Sequence, residues 1–159
     1  MTTSIRRILL AEDDPNDVEL TLTALTDHAM VNEVDVVNDG AEAMDYLFCR
    51  GKYAGRATGL PAVVLLDIKM PKVDGIEVLR QLKSDPQLRI VPVVMLTSSR
   101  EERDLVESYQ LGASAFVVKP VDFAAFVDAV KQVGVFWAVV NEPPPSRPIP
   151  ANWAAHPRQ

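Results

Sequence analysis

An apolar run that ends on a carboxylate constrains this chain more than any other feature. Residues 63–75 read VVLLDIKMPKVDG, and the first four residues show no polar alternation. Such a run is typical of a strand that is buried on both faces of a parallel sheet. Pro71 and the Asp-Gly pair at 74–75 then mark a turn into a helix. Asp67 is therefore predicted at the carboxyl end of a central strand, where open α/β sheets bind ligands.

The remaining apolar runs alternate with segments of helical spacing. The predicted strands cover residues 5–11, 33–37, 63–67, 90–96 and 114–118. The predicted helices cover residues 15–29, 41–50, 76–83, 101–111 and 121–140. This alternation predicts right-handed βαβ units, and thus an α/β three-layer αβα sandwich around a five-stranded parallel sheet. One domain is expected over residues 1–140, followed by a proline-rich arm over residues 141–159.

Composition excludes several classes of function. The net charge of −6 lacks the excess of positive charge that binding to a phosphate backbone needs. Cys49 is the one cysteine of the chain, so it forms no internal disulfide and fits a reducing compartment. The apolar stretch at residues 123–140 carries Asp128 and Lys131, which argues against a membrane span. We expect a cytoplasmic protein that binds neither nucleic acid nor membrane.

Polar side chains follow four of the predicted strands at the point where each strand ends. Glu12 and Asp13 follow the first strand, Asp67 ends the third, Thr97 follows the fourth and Lys119 the fifth. Parallel strands bring these ends to one edge of the sheet. Three neighbouring carboxylates repel one another, and a hard divalent cation such as Mg²⁺ relieves the repulsion with oxygen ligands. The sequence therefore predicts a magnesium site at this edge.

A carboxylate beside Mg²⁺, a hydroxyl and an ammonium can accept a phosphoryl group. Asp67 would be the nucleophile that forms an acyl phosphate, while Mg²⁺ and Lys119 neutralise the phosphoryl oxygens and Thr97 donates its hydroxyl. Each residue alone has a structural alternative. Asp13 could cap a helix, Thr97 could serve a turn and Lys119 could be a solvated surface residue. Their convergence at one edge is what favours the chemical interpretation.

Four motifs, LLAEDD, LLDIKMP, VVMLTSS and GASAFVVKP, resemble those of response-regulator receiver domains of two-component signalling. The resemblance implies a flavodoxin-like sheet with strand order 2-1-3-4-5. It implies that Asp67 is phosphorylated by a histidine kinase, and that Asp13 and Asp67 bind Mg²⁺ directly. It also implies that Glu12 binds Mg²⁺ through water and that the backbone carbonyl of Lys69 is a further ligand.

The same resemblance assigns a conformational switch. Thr97 matches the switch hydroxyl, Phe116 the aromatic switch position and Lys119 the lysine of the motif. Phosphorylation would draw the Thr97 hydroxyl inward and let Phe116 turn, which changes the face formed by the fourth helix, fifth strand and fifth helix. The implied protein is not an enzyme but a phosphoacceptor that catalyses its own phosphoryl transfer and dephosphorylation.

The chain is most similar to phytochrome-associated single-domain response regulators. The features that carry this similarity are the insertion GKYAGRATGLP, the motif ESYQLGASAFVVKP and the pair Phe136-Trp137. The resemblance implies a phytochrome-type photoreceptor kinase as the partner. The insertion at residues 51–61 is either a recognition loop or a tolerated surface segment. With no residues left for an output domain, the output is expected to be phosphotransfer or protein contact.

The last predicted helix is apolar on two sides, which predicts a second cover. One side, facing the sheet, holds Phe123, Val127, Val130 and Gly134. The other holds Phe126, Ala129, Val133, Phe136, Trp137 and Val140. We expect a homodimer through the face of the fourth helix, fifth strand and fifth helix. The arm would reach the partner subunit with Ile149 and Trp153 as anchors, although it could instead fold back over its own domain.

Three alternatives differ in function class. A haloacid-dehalogenase-like phosphatase also uses an aspartate nucleophile, but its chemistry needs a second aspartate where this chain has Lys69. A flavin or nucleotide binder needs a glycine-rich phosphate loop, and acids follow the first strand instead. A receiver-like scaffold that works without phosphorylation is the third alternative, and the complete set of acids, threonine and lysine argues against it.

Overall fold

Five parallel strands form one sheet in the order β2-β1-β3-β4-β5. The computed structural model describes residues 7–26, 33–56, 59–108, 110–113 and 115–132. The strands are β1 Ile8–Ala11, β2 Val34–Val37, β3 Val63–Asp67, β4 Val93–Thr97 and β5 Ala115–Val118. The helices are α1 Pro15–Thr26, α2 Gly40–Leu47, α3 Gly75–Ser84, α4 Arg100–Ser108 and α5 Phe123–Gln132. The predicted fold class and strand order are confirmed.

The sheet is buried on both faces. Successive side chains of a strand point to opposite sides, so Leu9 and Leu66 enter a core beneath α2, α3 and α4. Ile8 and Leu65 enter a second core beneath α1 and α5. This two-sided burial explains why the strands read as continuous apolar runs. Among the described helices, none combines the length and apolar character that crossing a bilayer requires.

The loop between β3 and α3 is folded tightly against the end of β3. The Gly75 N–H donates to the Ile68 carbonyl at 2.7 Å. A Cβ at position 75 would lie 2.0 Å from the Asp67 carbonyl oxygen, and one at Gly40 would lie 1.6 Å from the Val73 carbonyl oxygen. Both positions therefore require glycine, because backbone approaches backbone there. The loop that follows Asp67 is thus fixed by close packing.

The predicted start of the fourth strand at residue 90 is wrong. Ile90 is 71% exposed and lies in a turn, and the strand begins at Val93. The Asp85 carboxylate accepts the backbone N–H groups of Gln87 and Leu88, both at 2.9 Å. This Asx-type turn prolongs the connection, so the apolar run that suggested a longer strand is partly loop.

The prediction that Phe126 and Ala129 lie on an outward face of the last helix is also wrong. Both are buried in the core beneath α1 and α5, together with Val130. The Asp122 carboxylate accepts the Ala125 N–H at 2.7 Å, which caps the start of the helix. Val127, predicted to face the sheet, is only partly buried. The other predicted dimer and arm residues, Val133, Phe136, Trp137, Ile149 and Trp153, and the boundary at residue 140, lie outside the described residues.

A second group of polar residues lies beside β2, one of the two edge strands of the sheet. Arg7 binds Asp35 with two nitrogens, at 2.5 Å and 2.6 Å, and the Tyr46 hydroxyl donates to the same carboxylate at 2.5 Å. Nearby, Glu42 accepts the Tyr53 hydroxyl at 2.6 Å and pairs with Lys52 at 2.8 Å. We call these residues the edge cluster: Arg7, Asp35, Glu42, Tyr46, Lys52 and Tyr53.

The described part of the insertion is tied to α2. Its short 3₁₀ helix, Gly51–Tyr53, carries the two edge-cluster residues that contact Glu42. The Arg56 guanidinium donates to the Tyr46 carbonyl at 2.6 Å and 3.0 Å and stacks over the Tyr46 ring at 4.1 Å. The insertion therefore packs on α2 through specific contacts as far as residue 56.

Candidate functional site

The four strand ends meet at the carboxyl edge of the sheet, as predicted. The Glu12 N–H donates to the Val37 carbonyl at 3.0 Å, which extends the pairing of β1 with β2 and buries the Glu12 side chain. Carboxylate oxygens of Glu12, Asp13 and Asp67 all lie within 4.8 Å of one another. We call these three residues the acid cluster. Asp67 is 4% exposed, whereas Asp13 is exposed and opens the cluster to solvent.

Lys119 is joined to the acid cluster and is not a solvated surface residue. Its side chain is 17% exposed, and its backbone N–H donates to the Thr97 carbonyl at 2.8 Å. The Nζ atom lies 3.2 Å from Glu12 Oε1, 3.1 Å from Asp17 Oδ2 and 3.2 Å from Asp67 Oδ1. One ammonium therefore contacts three carboxylates, which lie just after β1, in the first turn of α1 and at the end of β3.

The buried acids carry raised pKa values. Burial and the neighbouring Asp67 raise the pKa of Glu12 to about 7. Burial also raises the pKa of Asp67, against the opposing effects of Glu12 and Lys119. Burial alone would lower the pKa of Lys119, but the carboxylates of Asp67, Asp17 and Glu12 outweigh it and raise the pKa. The site therefore holds more negative charge than its single ammonium neutralises.

The acid cluster fits a hard divalent cation. Its ligand atoms are all carboxylate oxygens, which suit Mg²⁺ or Mn²⁺ and do not favour zinc. The raised pKa values of Glu12 and Asp67 indicate acids whose charge needs a further positive partner. The proposed backbone ligand, Lys69, lies two residues after Asp67 in the tightly packed loop; its Nζ is 3.6 Å from Glu102 on α4. A ligand role for its carbonyl stays a prediction.

The two predicted switch residues lie on the same face of the sheet, two positions apart in register. Thr97 pairs with Val118, and Met95 pairs with Phe116. Thr97 is fully buried, and among the described residues its Oγ1 has no hydrogen-bond partner. Phe116 is partly buried, with the Arg103 guanidinium 5.0 Å from its ring centroid. A buried hydroxyl without a partner is costly, so Thr97 is prepared for an acceptor that reaches the site.

Sequence reasoning missed three contributors. Asp17 contacts Lys119, and Glu102 accepts the Ser98 N–H at 2.8 Å beside Thr97. Asp14 caps α1 by accepting the backbone N–H groups of residues 16 and 17, the role left open for Asp13. An acid in the first turn of a helix after an acidic strand end was the available signal for Asp17. The same signal fits an ordinary helix start, so it did not discriminate.

Comparison with known proteins supplies an independent finding. The family model of the response regulator receiver domain matches residues 8–131. Response regulator Rcp1 of Synechocystis sp. (strain ATCC 27184 / PCC 6803 / Kazusa) is 35% identical over 130 residues, covering 82% of this chain and 87% of that protein. These matches place the chain with receivers rather than with the phosphatase or nucleotide-binding alternatives.

Several solved structures that are similar to this chain are also response regulators. The bacteriophytochrome response regulator AtBRR is 60% identical with a TM-score of 0.83, covering 88% of this chain and 100% of that chain. The phosphorylated cyanobacterial phytochrome response regulator RcpA is 39% identical with a TM-score of 0.68, covering 84% and 94%. The Mn²⁺-bound form of response regulator Rcp1 is 32% identical with a TM-score of 0.67, covering 92% and 99%.

Proposed function

This chain belongs to the response regulator receiver domain family, and on that premise we propose that it accepts a phosphoryl group from a sensor histidine kinase onto Asp67. The observation that carries the proposal is the position of the Asp67 carboxylate, 3.2 Å from the Lys119 ammonium within the acid cluster. A phosphorylated relative, RcpA, supports it further. In this proposal, the protein is a signalling phosphoacceptor that catalyses its own phosphorylation and dephosphorylation.

In the proposed step, a carboxylate oxygen of Asp67 attacks the phosphorus of the donor's phosphohistidine. The new O–P bond forms as the N–P bond breaks, and the released imidazole nitrogen takes a proton from solvent. Negative charge is spread over the three equatorial phosphoryl oxygens. Lys119 lies beside Asp67 and can donate to one of them, and Thr97 has a buried hydroxyl available for another. Hydrolysis later breaks the same O–P bond and restores the carboxylate.

We further propose that Mg²⁺ is the resident cation. Asp13 and Asp67 would hold it directly, the Lys69 carbonyl would be a third protein ligand, and Glu12 would bind through water. When bound, the cation supplies neutralisation of the charge on the transferring phosphoryl group. The oxygen-only composition of the acid cluster and the Mn²⁺-bound relative Rcp1 support a divalent cation of this class.

The proposed output is a change in surface around Phe116. Thr97 lines a groove of about 420 Å³ together with Arg103 and Val118. Movement of the Thr97 hydroxyl toward the phosphoryl group would leave room on this side of β4. Phe116 has no hydroxyl, so its rotation would act through packing against its neighbours and through its contact with Arg103. The face of α4, β5 and α5 would then differ between the two states.

Two partner assignments belong to the proposal. The kinase is a phytochrome-type photoreceptor, supported by the 60% identity to AtBRR. A homodimer through the face of α4, β5 and α5 is supported by Val118, which is 62% exposed at the end of β5, and by the part-exposed Val127. We place the protein in the cytoplasm.

Removal of residues 142–159 tests the proposed role of the arm in the dimer. A truncated variant that stays fully dimeric by light scattering would contradict that role.

The test of the phosphoacceptor role uses a small acyl-phosphate donor with and without Mg²⁺, read by intact mass. We expect a phosphoryl-sized gain that requires the cation and is absent in Asp67→Asn. Asp128→Asn is a matched control, because it removes an exposed aspartate of α5 and should keep the gain. No gain in the wild-type chain, from this donor or from a phosphorylated phytochrome-type kinase, would favour a scaffold that works without phosphorylation.

A further inference from the structure

Lys119 has one carboxylate partner that the acid cluster does not use. Asp17 lies in the first turn of α1, and its Oδ2 atom is 3.1 Å from Lys119 Nζ. Among the described residues, the acid cluster holds Glu12, Asp13 and Asp67 but not Asp17. An ammonium has three N–H donors, so the three carboxylates around Nζ can each accept one of them.

The other two partners of Lys119 change during the proposed reaction. Asp67 loses its negative charge when one of its oxygens becomes the bridging oxygen of the acyl phosphate. Glu12, on the proposed function, turns its charge toward the cation through water. Asp17 takes part in neither event, so its contact with Lys119 is the one that can stay unchanged from the free state to the phosphorylated state.

Both ends of the Asp17–Lys119 contact are anchored. The Asp17 N–H and its neighbour's N–H converge on the Asp14 carboxylate, which fixes the first turn of α1. The Lys119 N–H donates to the Thr97 carbonyl, which fixes the backbone at the end of β5. Between these anchors lies a long side chain with four rotatable bonds, which loses much rotamer freedom when held. A second fixed end therefore limits where Nζ can point.

We propose that Asp17 is a positioning residue that holds the Lys119 ammonium against the phosphoryl-acceptor oxygen of Asp67 throughout the reaction cycle. The effect on phosphorylation kinetics rests on the proposed function. The ordering of the Lys119 ammonium by Asp17 does not. If Asp17 only stabilised the start of α1 through the helix dipole, removing its charge would change stability without changing the order of Nζ.

The test measures both properties on the full chain. The first readout is hydrogen exchange of the Lys119 ammonium by nitrogen-15 NMR, with the signal assigned by its loss in Lys119→Arg. We expect exchange at least about threefold faster in Asp17→Asn, because one hydrogen bond to a charged acceptor weakens. Glu19→Gln is the matched control: it removes one exposed acid from the same helix and should leave the exchange rate unchanged.

The second readout is phosphorylation by acetyl phosphate with saturating Mg²⁺, resolved into kcat and KM. We expect Asp17→Asn to lower kcat about tenfold with KM changed less than about twofold, since the loss is one of orientation rather than of binding. Asp17→Glu should restore most of kcat. Glu19→Gln reports what removal of a negative charge does to KM for the anionic donor.

The two readouts separate the possible failures. An Nζ that stays equally ordered in Asp17→Asn overturns the inference, whether or not kcat falls. A loss of order with unchanged kcat overturns it as well. If the wild-type chain takes no phosphoryl group at all, the proposed function fails, and the exchange measurement alone then decides whether Asp17 positions Lys119.

Discussion

The acid cluster and the edge cluster both hold carboxylates whose charge is disfavoured by burial, but the electrostatic outcomes are opposite. Burial raises the pKa of Glu12 to about 7, and the neighbouring Asp67 adds to the effect. Burial also raises the pKa of Asp35, but the hydrogen bonds from Arg7 and Tyr46 outweigh it and leave the pKa below its ordinary value. Asp35 is less buried than Glu12, and it also has donors that outweigh the effect of burial on its pKa.

The number of donors for each carboxylate adds to the difference in burial. Asp35 accepts two hydrogen bonds from the Arg7 guanidinium, which also pairs with Glu33, and a third from the Tyr46 hydroxyl. In the acid cluster, the single ammonium of Lys119 is shared between Glu12, Asp67 and the neighbouring Asp17. A carboxylate that is fully paired holds the fold together, whereas carboxylates that share one cation can bind another. This comparison identifies the functional acids without reference to any relative.

The largest expected difference between the clusters is in affinity for a divalent cation. Asp13→Asn should weaken Mg²⁺ binding by about 100-fold, because it removes the exposed, charged ligand of the acid cluster. Asp35→Asn should leave the affinity within about twofold, since Asp35 is already paired with Arg7. Isothermal titration with Mg²⁺ at pH 8 measures both. Equal losses in the two variants would remove the distinction between the clusters.

Stability should change in opposite directions when each cluster loses a charge. Asp35→Asn should lower the free energy of unfolding by about 2 kcal/mol, because Arg7 and the Tyr46 hydroxyl lose a charged acceptor. Asp67→Asn should raise it by about 1 kcal/mol in cation-free buffer at pH 8, because it mimics the protonated state that the raised pKa favours. Urea unfolding of both variants tests the signs.

The predicted stability changes of the two variants respond differently to the cation, so unfolding with Mg²⁺ serves as the control. Saturating Mg²⁺ should cancel the gain in Asp67→Asn, because the wild-type chain is then stabilised by binding and the variant is not. It should leave the loss in Asp35→Asn unchanged. An Asp67→Asn variant that is less stable than the wild-type chain in cation-free buffer would show that its carboxylate is a structural partner of Lys119, as Asp35 is of Arg7.

The pH dependence of stability follows from Glu12. Its pKa rises from an ordinary 4.5 to about 7 in the folded chain. Between those values the unfolded chain has lost a proton that the folded chain keeps, so stability should fall by about 2–3 kcal/mol as pH rises from about 5 to about 8 without cation. Glu12→Gln should flatten this slope. Thermal unfolding in the presence of a chelator measures this pH dependence. If the same slope remained in Glu12→Gln, a titrating group other than Glu12 would be its cause.

The sequence predicted the acid cluster well and the helix faces poorly, for physical reasons. Buried strands of a parallel sheet read as apolar runs, and the polar residue after each run marks the edge, so Asp67 and Lys119 could be found from order alone. The side of α5 that faces the sheet could not be found in this way, because the helix is apolar on both sides and only its packing shows which side is buried. Phe126 was misassigned for this reason.

Asp17 and the edge cluster illustrate the same limit in polar residues. Whether an acid in a first helical turn points at a lysine 102 positions away depends on how α1 lies against β5, which no local pattern encodes. Tyr46 reads as an ordinary residue of α2, and the packing of α2 against β2 brings its hydroxyl to Asp35. The end of a strand can be recognised from the local sequence, whereas contacts between elements depend on how those elements pack.

The smallest expected effect is that of replacing Lys52 in the edge cluster, and it contrasts with the effect of replacing Lys119 beside the acid cluster. Lys52 is 68% exposed and pairs with Glu42, which also accepts the Tyr53 hydroxyl and the Asn38 N–H. Lys52→Met should therefore leave the free energy of unfolding almost unchanged, as exposed ion pairs contribute little. Lys119→Met, its counterpart, leaves three carboxylates without their ammonium and should cost about 2 kcal/mol in chelator. Urea unfolding that ranked the two lysines equally would mean that the Lys119 ammonium adds no more than a surface pair does.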